Sequence, residues 1–355
     1  MNKRRAIFAT ASLSVMHALV DFLCAATLFN PVAVEVGLSQ MAFPFFVYNT
    51  LAFTTQGIFG VLIDRFLSEY KHHIVRVSVV LILCGFFIPC GVYGRILLIG
   101  IGNSIFHVAA GASILASGSK AVRLGIFVAP GAIGLTLGTL YPKVGIFIAP
   151  MLLILALVTP KLSAISVTQR SVKRPNNQAL IVLLLLLCII SRALVGSAVY
   201  YPWKNGALMT ILLTLFVFGG KVLGGVFIDR FGASKTGAAA LITASALVLF
   251  CSSYALPSMA GQFLVNISMP LTLWLLYLLL PDYPGFAFGL AASALYPGTL
   301  LGALLNPLSN NQRLLIVFGV LLLNAVILVY CSHSFGYKLL KKDEFSLAGQ
   351  NGGRI

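Results

Sequence analysis

Long apolar stretches separated by short polar segments run through the whole sequence. A window of about 19 residues moved along the chain predicts twelve helices. They lie at 6–29, 42–63, 74–93, 96–117, 122–141, 143–160, 179–201, 207–228, 237–255, 258–280, 285–304 and 313–332. Each is close to the roughly 20 apolar residues that cross a bilayer core, and none shows the in-out alternation of a transmembrane β-strand. The pattern therefore predicts an all-α membrane protein with twelve transmembrane helices.

The longest polar connection between predicted helices divides the chain near its middle. It covers 161–178 (KLSAISVTQRSVKRPNNQ), with six helices on either side. We therefore predict an N-terminal six-helix bundle, a cytoplasmic linker, a C-terminal six-helix bundle and a cytoplasmic tail, at 1–160, 161–178, 179–334 and 335–355.

A short internal repeat supports this division. Gly60–Phe66 reads GVLIDRF and Gly225–Phe231 reads GVFIDRF, and each copy closes the second helix of its half. Such repeats are expected when two bundles are related by an axis along the membrane normal, with the site between them near the bilayer midplane. The glycines alone would also suit ordinary helix packing, but the recurring acidic-basic pair favours a true repeat.

Composition narrows the alternatives further. Of the 355 residues, 59% are hydrophobic and 9% are charged, a balance too apolar for a soluble globular protein. Twelve helices of about 20 residues use most of the chain. The sequence therefore excludes a large soluble domain.

The chain is strongly basic, with 24 Lys and Arg against 8 Asp and Glu and a net charge of +16. In a soluble protein this would suggest nucleic acid. Here the basic residues lie between apolar stretches, where they indicate orientation and contact with anionic lipids at the cytoplasmic face. If the N-terminus is cytoplasmic, only Arg95, Lys143, Lys204 and Arg313 fall in outer segments. The bias predicts that both termini are cytoplasmic, with no nucleic-acid partner.

The sequence shows no pattern typical of an enzyme, a cofactor site or a metal site. None of the six cysteines forms a C-x-x-C pair, and no glycine cluster continues into a phosphate-binding loop. We therefore expect no enzyme activity, no cofactor and no metal, and either an ion gradient or the substrate's own gradient, rather than ATP, as the energy source.

Few ionisable residues fall inside the predicted spans. Each costs roughly 2.5 to 3.5 kcal/mol on insertion scales, so it needs a partner, water or a function. His17 and Asp21 lie four apart on one face of the first helix, and His107 lies near the middle of the fourth. Their contact could simply fix helix packing. It could also form a proton-coupling site, because a carboxylate's proton affinity changes with nearby charge.

Cationic residues in the second half suggest the substrate's charge. Arg192 lies deep in the seventh helix and Lys221 lies in the eighth; a guanidinium binds carboxylate, phosphate or phosphonate through two hydrogen bonds. An anionic or zwitterionic solute would neutralise them; alternatively, Arg192 pairs internally with Asp21 and Lys221 extends to the inner headgroups. Three further candidates for substrate contact are Asn103, one turn before His107, and Asn266 and Trp274, on a stripe of the tenth helix that also holds Pro270 and Tyr277. Tyr200, Tyr201 and Trp203 at the outer end of the seventh helix are typical of an interfacial aromatic belt.

Two Asp-Arg pairs carry a resemblance to a known superfamily. Asp64-Arg65 and Asp229-Arg230 follow the glycine-rich second and eighth helices and resemble the loop motif of the major facilitator superfamily. The resemblance implies two six-helix bundles whose helices 1, 4, 7 and 10 line a central cavity. It also implies a cytoplasmic latch, in which the acidic residues meet basic residues or a helix N-terminus in one state and separate in the other.

A narrower resemblance covers mainly residues 10–140. His17-x-x-x-Asp21, GIGNSIFH at Gly100–His107, and APGAIGLTLG at Ala129–Gly138 resemble the fosmidomycin-resistance family of drug exporters. This resemblance implies drug efflux by proton antiport across a bacterial inner membrane.

Together these observations predict a secondary active transporter that moves a small anionic or zwitterionic solute by alternating access, as a monomer in the inner membrane. Proton-coupled efflux is the first expectation, and its direction depends on the exporter resemblance. The same residues would serve a proton-coupled uptake permease equally well. A third reading is a non-transporting membrane sensor on the same scaffold.

Overall fold

The structure, a computed structural model, describes residues 3–118, 120–162 and 175–335. Twelve helical segments follow one another, numbered in chain order: α1 Arg4–Val36, α2 Ala42–Phe66, α3 Ser68–Phe87, α4 Gly91–Ala116, α5 Ala121–Leu140, α6 Pro142–Val158, α7 Gln178–Ala198, α8 Gly206–Phe231, α9 Ala233–Cys251, α10 Ala255–Leu279, α11 Pro284–Leu304 and α12 Asn310–Ser334. The predicted linker 161–178 and tail 335–355 lie mostly outside the described residues.

Each described segment overlaps one of the predicted spans. In the described part of the chain, eleven are long and apolar enough to cross a membrane. The remaining one, α6, is apolar but shorter, because Pro142 begins a single 3-10 turn directly after α5 ends. The described residues therefore form an all-α protein with eleven helices long and apolar enough to cross a membrane and one shorter apolar helix.

The boundary between α3 and α4 lies earlier than the hydrophobic pattern predicts. Pro89 forces the residue before it out of the helical region, and Ile88 is accordingly extended (φ −82°, ψ 128°). Gly91 then adopts a φ of +72° to start α4. Arg95, which the pattern predicts in an outer segment, therefore lies in α4, where its guanidinium donates hydrogen bonds to the carbonyls of Gly85 and Phe86 at 3.1 and 2.9 Å.

Each half of the chain forms its own set of close helix pairs. α1 packs along α5 and α3 along α4 in the first half, while α8 packs along α10, α9 along α12 and α7 along α11 in the second. Small residues allow the closest of these approaches. A side chain at Gly134 of α5 would collide with the backbone of Ala18 in α1.

Two helix pairs join the halves. α5 packs along α8, and the first half of α11 packs along α2. Glycines again bring backbones together: a Cβ on Gly60 would lie 2.5 Å from the carbonyl oxygen of Gly285, and one on Gly225 would lie 2.6 Å from the Cα of Val122. We call the end of the molecule where α2 and α8 end the latch end, and the opposite end, where α1 and α7 end, the far end.

Three helices depart from regular α-helical geometry. α1 contains a π-helical turn at Leu28–Val32 around Pro31, α2 contains one at Thr50–Thr54, and α11 is interrupted at Ala294. Such π-turns often occur at functional sites. Phe29 and Phe53 of these turns face the interior described next.

Candidate functional site

A cavity of about 560 Å³ lies between the two halves. α1, α4, α7 and α10 contribute to its walls, as the superfamily resemblance implies, together with parts of α2, α5, α8 and α11. The first half contributes His17, Asp21 and His107, and the second half contributes Arg192 and Lys221. Ionisable groups far apart in sequence therefore share one chamber, which we call the central cavity.

The three residues from the first half form one tight cluster. The Nε2 atoms of His17 and His107 lie 2.8 Å apart, and they lie 3.3 and 3.6 Å from the two carboxylate oxygens of Asp21. The side chains of His17, His107 and Asp21 are 6%, 12% and 19% exposed. The cluster is therefore largely dry but touches the cavity.

Backbone carbonyls fix the protonation pattern of both imidazoles. His17 Nδ1 lies 2.7 Å from the carbonyl oxygen of Phe127, and His107 Nδ1 lies 2.8 Å from that of Asn103. A carbonyl only accepts hydrogen bonds, so each Nδ1 carries the hydrogen. Two neutral rings would then face each other with two bare Nε2 acceptors. One additional proton turns this contact into a hydrogen bond, with the Asp21 carboxylate beside it to balance the charge.

The geometry of this cluster also shows how well it would suit a metal ion. The donor atoms of His17, Asp21 and His107 lie within 4.8 Å of one another. The distances of 3.3 and 3.6 Å suit a tetrahedral ion with bonds of about 2.0–2.2 Å, but the 2.8 Å between the two nitrogens is short for one. Arg192 and Lys221 line the same cavity and would repel a divalent cation. The arrangement suits a proton better than a metal.

Asn103 and Gly131 hold this cluster in place. The Asn103 amide donates a hydrogen bond to Asp21 Oδ1 at 3.1 Å while its backbone carbonyl binds His107. Gly131 of α5 leaves room for the cluster, because a Cβ there would lie 2.5 Å from Asp21 Oδ2 and still closer to His17 Nε2. Asn103, expected to contact substrate, thus positions both Asp21 and His107.

In the part of the chain that the structure describes, the two cations from the second half have no acidic partner. Arg192 is 9% exposed, and its single hydrogen bond among the described residues is a long one of 3.4 Å to the Thr272 hydroxyl. Within the described part of the chain, neither Arg192 nor Lys221 lies within 4.0 Å of a carboxylate. Among the described residues, Asp21 is the one acidic residue that lines the central cavity. Two cations therefore share the cavity with one carboxylate.

A second chamber of about 440 Å³ adjoins the same two cations. α7, α8 and α10 form its walls, and Lys204, Tyr201, Gln262 and Asn266 line it between Arg192 and the far end. Tyr201, predicted as part of an interfacial belt, is instead buried at 7% exposure, whereas its neighbour Tyr200 is exposed.

The two candidate residues of the predicted stripe on α10 divide between the second chamber and the apolar core. Asn266 lines the second chamber, and its amide donates to the carbonyl of Gln262 at 2.9 Å. Trp274 is buried in the apolar core and is not among the residues that line either chamber. Each step of four residues turns a helix about 40° past a full turn, so Trp274 rotates off the face. That face carries Gln262, Asn266, Met269 and Leu273.

Aromatic side chains close the central cavity toward the latch end. The ring of Phe288 in α11 lies against Gly111 of α4 and packs on Phe127 of α5, with ring centroids 5.9 Å apart. All three residues lie within two turns of the latch end of their helices. Nothing in the sequence pattern singles out Phe288 among the 25 phenylalanines.

The two repeated aspartates connect the bundles at the latch end. Asp64 of α2 accepts hydrogen bonds from the backbone N–H groups of Gly285 and Phe286, at 3.0 and 2.8 Å. Asp229 of α8 accepts them from Ala121 and Val122, at 2.9 and 3.1 Å. Each carboxylate thus caps the first turn of a helix in the other half, where the helix dipole favours negative charge.

The neighbouring arginines lie elsewhere. The guanidinium of Arg65 lies 5.6 Å from the ring centroid of Phe66, and that of Arg230 lies 5.5 Å from Phe231. Among the described residues, neither arginine forms an ion pair. In this state each arginine therefore lies over the aromatic ring that follows it in sequence, and the aspartates make the contacts between the bundles.

Comparisons of sequence find no match for this chain, whereas comparisons of structure do. No protein-family profile matches the chain, and no curated protein sequence matches it. Solved structures do match. A variant of the E. coli fucose:proton symporter FucP superposes with a TM-score of 0.62 at 14% identity, covering 90% of this chain and 98% of that one.

Two further structures give the same result. FucP in its outward conformation superposes with a TM-score of 0.64 at 13% identity, over 90% of this chain and 98% of that one. The human organic anion transporter MFSD10 superposes with a TM-score of 0.60 at 14% identity, over 92% of this chain and all of that one.

The chain has the major facilitator fold. These solved proteins are transporters, not enzymes, and at such low identity the likeness concerns the fold alone. The resemblance to the fosmidomycin-resistance family stays a prediction.

Proposed function

We propose that this protein is a secondary active transporter that exchanges a small anionic solute for protons by alternating access across the bacterial inner membrane, as a monomer. The observation that carries the proposal is the central cavity itself, where Arg192 and Lys221 of one bundle share a chamber with the His17–Asp21–His107 cluster of the other.

The charge of the substrate follows from the two cations. A buried guanidinium without a carboxylate partner is costly in a membrane interior, and an incoming anion would remove that cost through charge-assisted hydrogen bonds. A cavity of about 560 Å³ suits a small molecule. Phosphonates and carboxylates are the chemical classes that match a guanidinium and an ammonium together.

The coupling ion follows from the histidine pair. With both Nδ1 atoms bound to carbonyls, the Nε2–Nε2 contact of 2.8 Å accommodates one proton. Protonation at His17 and His107 adds positive charge to the cavity that holds Arg192 and Lys221. That charge by itself strengthens anion binding, which is the sign of symport, so antiport requires that the anion and the protonated histidine pair compete for the chamber.

Alternating access requires that the cavity open at one end at a time. In the structure the Asp64 and Asp229 caps join the bundles at the latch end, and Phe288 lies between them and the cavity. Opening that end would break the four hydrogen bonds that backbone N–H groups donate to the two carboxylates. Rocking of the two bundles would move the solute if it alternately broke the aspartate caps at the latch end and opened the contacts at the far end.

Efflux by antiport remains the favoured direction because of the exporter resemblance in the first half. Uptake by symport is the alternative, and one structural neighbour, a fucose:proton symporter, shows that the fold serves that direction too. Deleting the protein from cells would raise intracellular solute in the first case and lower it in the second.

Replacing Arg192 by Gln tests the anion claim. Losing a charge-assisted hydrogen bond in a dry site costs about 1.5–3 kcal/mol, so binding of the anion methylphosphonate should weaken about tenfold to hundredfold. The measurement is uptake of labelled methylphosphonate into proteoliposomes, with Arg5→Gln, an exposed cation at the start of α1, as the control. Unchanged uptake in Arg192→Gln would contradict the proposal.

A further inference from the structure

The second chamber has the composition of an anion site in its own right. Of the residues that the structure describes, three cations line it, namely Arg192 and Lys221 at its base and Lys204 at its rim, and no Asp or Glu does. Lys204 is exposed at the far end, whereas Arg192 is 9% exposed. Positive charge therefore extends from the far surface down to the central cavity along the second half of the chain.

Tyr201 adds a hydrogen-bond donor midway. Its hydroxyl oxygen accepts a hydrogen bond from the Gln262 amide at 2.8 Å, and within the described residues its own O–H has no acceptor. Burial raises the pKa of the Tyr201 phenol to about 12, so the hydroxyl keeps its proton. The ring is held by Trp203, with centroids 5.2 Å apart. The O–H is thus a fixed, unused donor in a chamber lined by cations.

We propose that this chamber is a separate binding site for a small oxyanion, where Lys204 and Tyr201 receive the anion at the far end before it reaches Arg192 and Lys221. We call it the cationic vestibule. The inference rests on the proposed function, because it assigns the route by which that anion enters or leaves.

The physical basis is electrostatic focusing. A cleft lined by one sign of charge raises the local concentration of the opposite ion and its association rate, an effect that salt screens. Lys204 therefore acts chiefly on capture of the anion, and Tyr201 acts by a direct hydrogen bond. Neither residue takes part in binding or releasing the proton at the histidine cluster.

Two variants with matched controls test the vestibule. Lys204→Gln is compared with Lys143→Gln, another exposed far-end lysine that does not line the chamber, and Tyr201→Phe is compared with Tyr254→Phe, an exposed far-end tyrosine. The protein is the full chain in nanodiscs and proteoliposomes, and the probes are methylphosphonate and its uncharged ester, dimethyl methylphosphonate.

The expected results separate capture from turnover. Lys204→Gln raises KM for methylphosphonate severalfold with kcat unchanged and flattens its dependence on salt. Tyr201→Phe weakens methylphosphonate binding about tenfold, as expected for a lost hydrogen bond to an anion. Both controls behave like the wild type, and the uncharged ester does not bind detectably.

Other outcomes distinguish the two proposals. If both vestibule variants match their controls while Arg192→Gln loses binding, the vestibule is wrong and the proposed function stands. If the wild type binds the ester as well as the anion, both proposals are wrong. Lys204 is exposed at the surface, so its variant tests the claim even where Tyr201→Phe disturbs folding.

Discussion

The contact between two imidazole rings is the most informative single feature of the site. His17 and Asp21 could be paired from their spacing of four residues on one helix, and Asn103 could be placed beside His107 in the same way. The meeting of His17 with His107 could not, because it depends on how α1 and α4 pack. Two carbonyls, one from α4 and one from α5, then decide which nitrogen carries hydrogen. No sequence pattern encodes such backbone contacts.

Gly131 offers a test of how tightly this cluster is held. A Cβ at Gly131 would lie 2.5 Å from Asp21 Oδ2, so Gly131→Ala should displace the cluster and destabilise the protein by about 1–3 kcal/mol. The measurement is thermal unfolding in detergent together with proton-driven methylphosphonate uptake, which should fall sharply.

Gly319→Ala is the matched control for this substitution. Nothing lies within 4 Å of a Cβ at Gly319 in α12, so that variant should unfold at or slightly above the wild-type temperature, since Ala favours a helix by up to about 1 kcal/mol. Equal stability and uptake in the Gly131 and Gly319 variants would show that the cluster tolerates movement.

At the scale of helices, the repeated GVxIDRF segments have two functions that follow from their geometry. The aspartates cap helices of the opposite half, and the glycines four residues earlier let those helices approach. The superfamily resemblance implies that each aspartate meets either basic residues or a helix N-terminus; in the structure both aspartates lie at helix N-termini. Helix ends at loops were predicted less well, as α3 and α4 show, because apolar residues continue through the turn at Ile88–Cys90.

The glycines of these segments should control which end of the cavity is open. In Gly60→Ala and Gly225→Ala the new methyl groups would overlap backbone atoms of α11 and α5. Closure at the latch end should therefore become unfavourable. Spin labels at the exposed Tyr70 and Tyr283, attached through cysteines in a Cys90→Ser background, should report longer distances in both variants.

Gly57→Ala lies on the same helix as Gly60 and serves as the control. Its Cβ would lie 3.6 Å from the Ser293 hydroxyl, an ordinary contact. The distance distribution of this variant should match that of the wild type. A distribution in Gly60→Ala that is indistinguishable from that of Gly57→Ala would rule out control of closure by glycine packing at the latch end.

At the scale of the whole molecule, the hydrophobic pattern was sufficient for the helix order, because length and apolarity are local properties of each span. The internal repeat and the two Asp-Arg pairs were sufficient to suggest a two-bundle fold. The walls of the chambers were harder to predict, because they depend on helix rotation: Trp274, predicted to contact substrate, packs in the core, whereas Tyr201, Thr272 and Phe288 line chambers without having been predicted to do so. The ionisable residues singled out in the apolar spans, His17, Asp21, His107, Arg192 and Lys221, all line the central cavity, since a membrane interior tolerates them only where a cavity or a partner exists.

The central claim is that one cavity couples an anion to protons. The most direct test imposes a proton gradient on proteoliposomes that hold the full chain and measures accumulation of labelled methylphosphonate against its own gradient. The account predicts accumulation by the wild type, and in Asp21→Asn or His107→Gln loss of proton-driven accumulation while exchange of labelled for unlabelled methylphosphonate continues. Accumulation that is equally strong in both variants would contradict it.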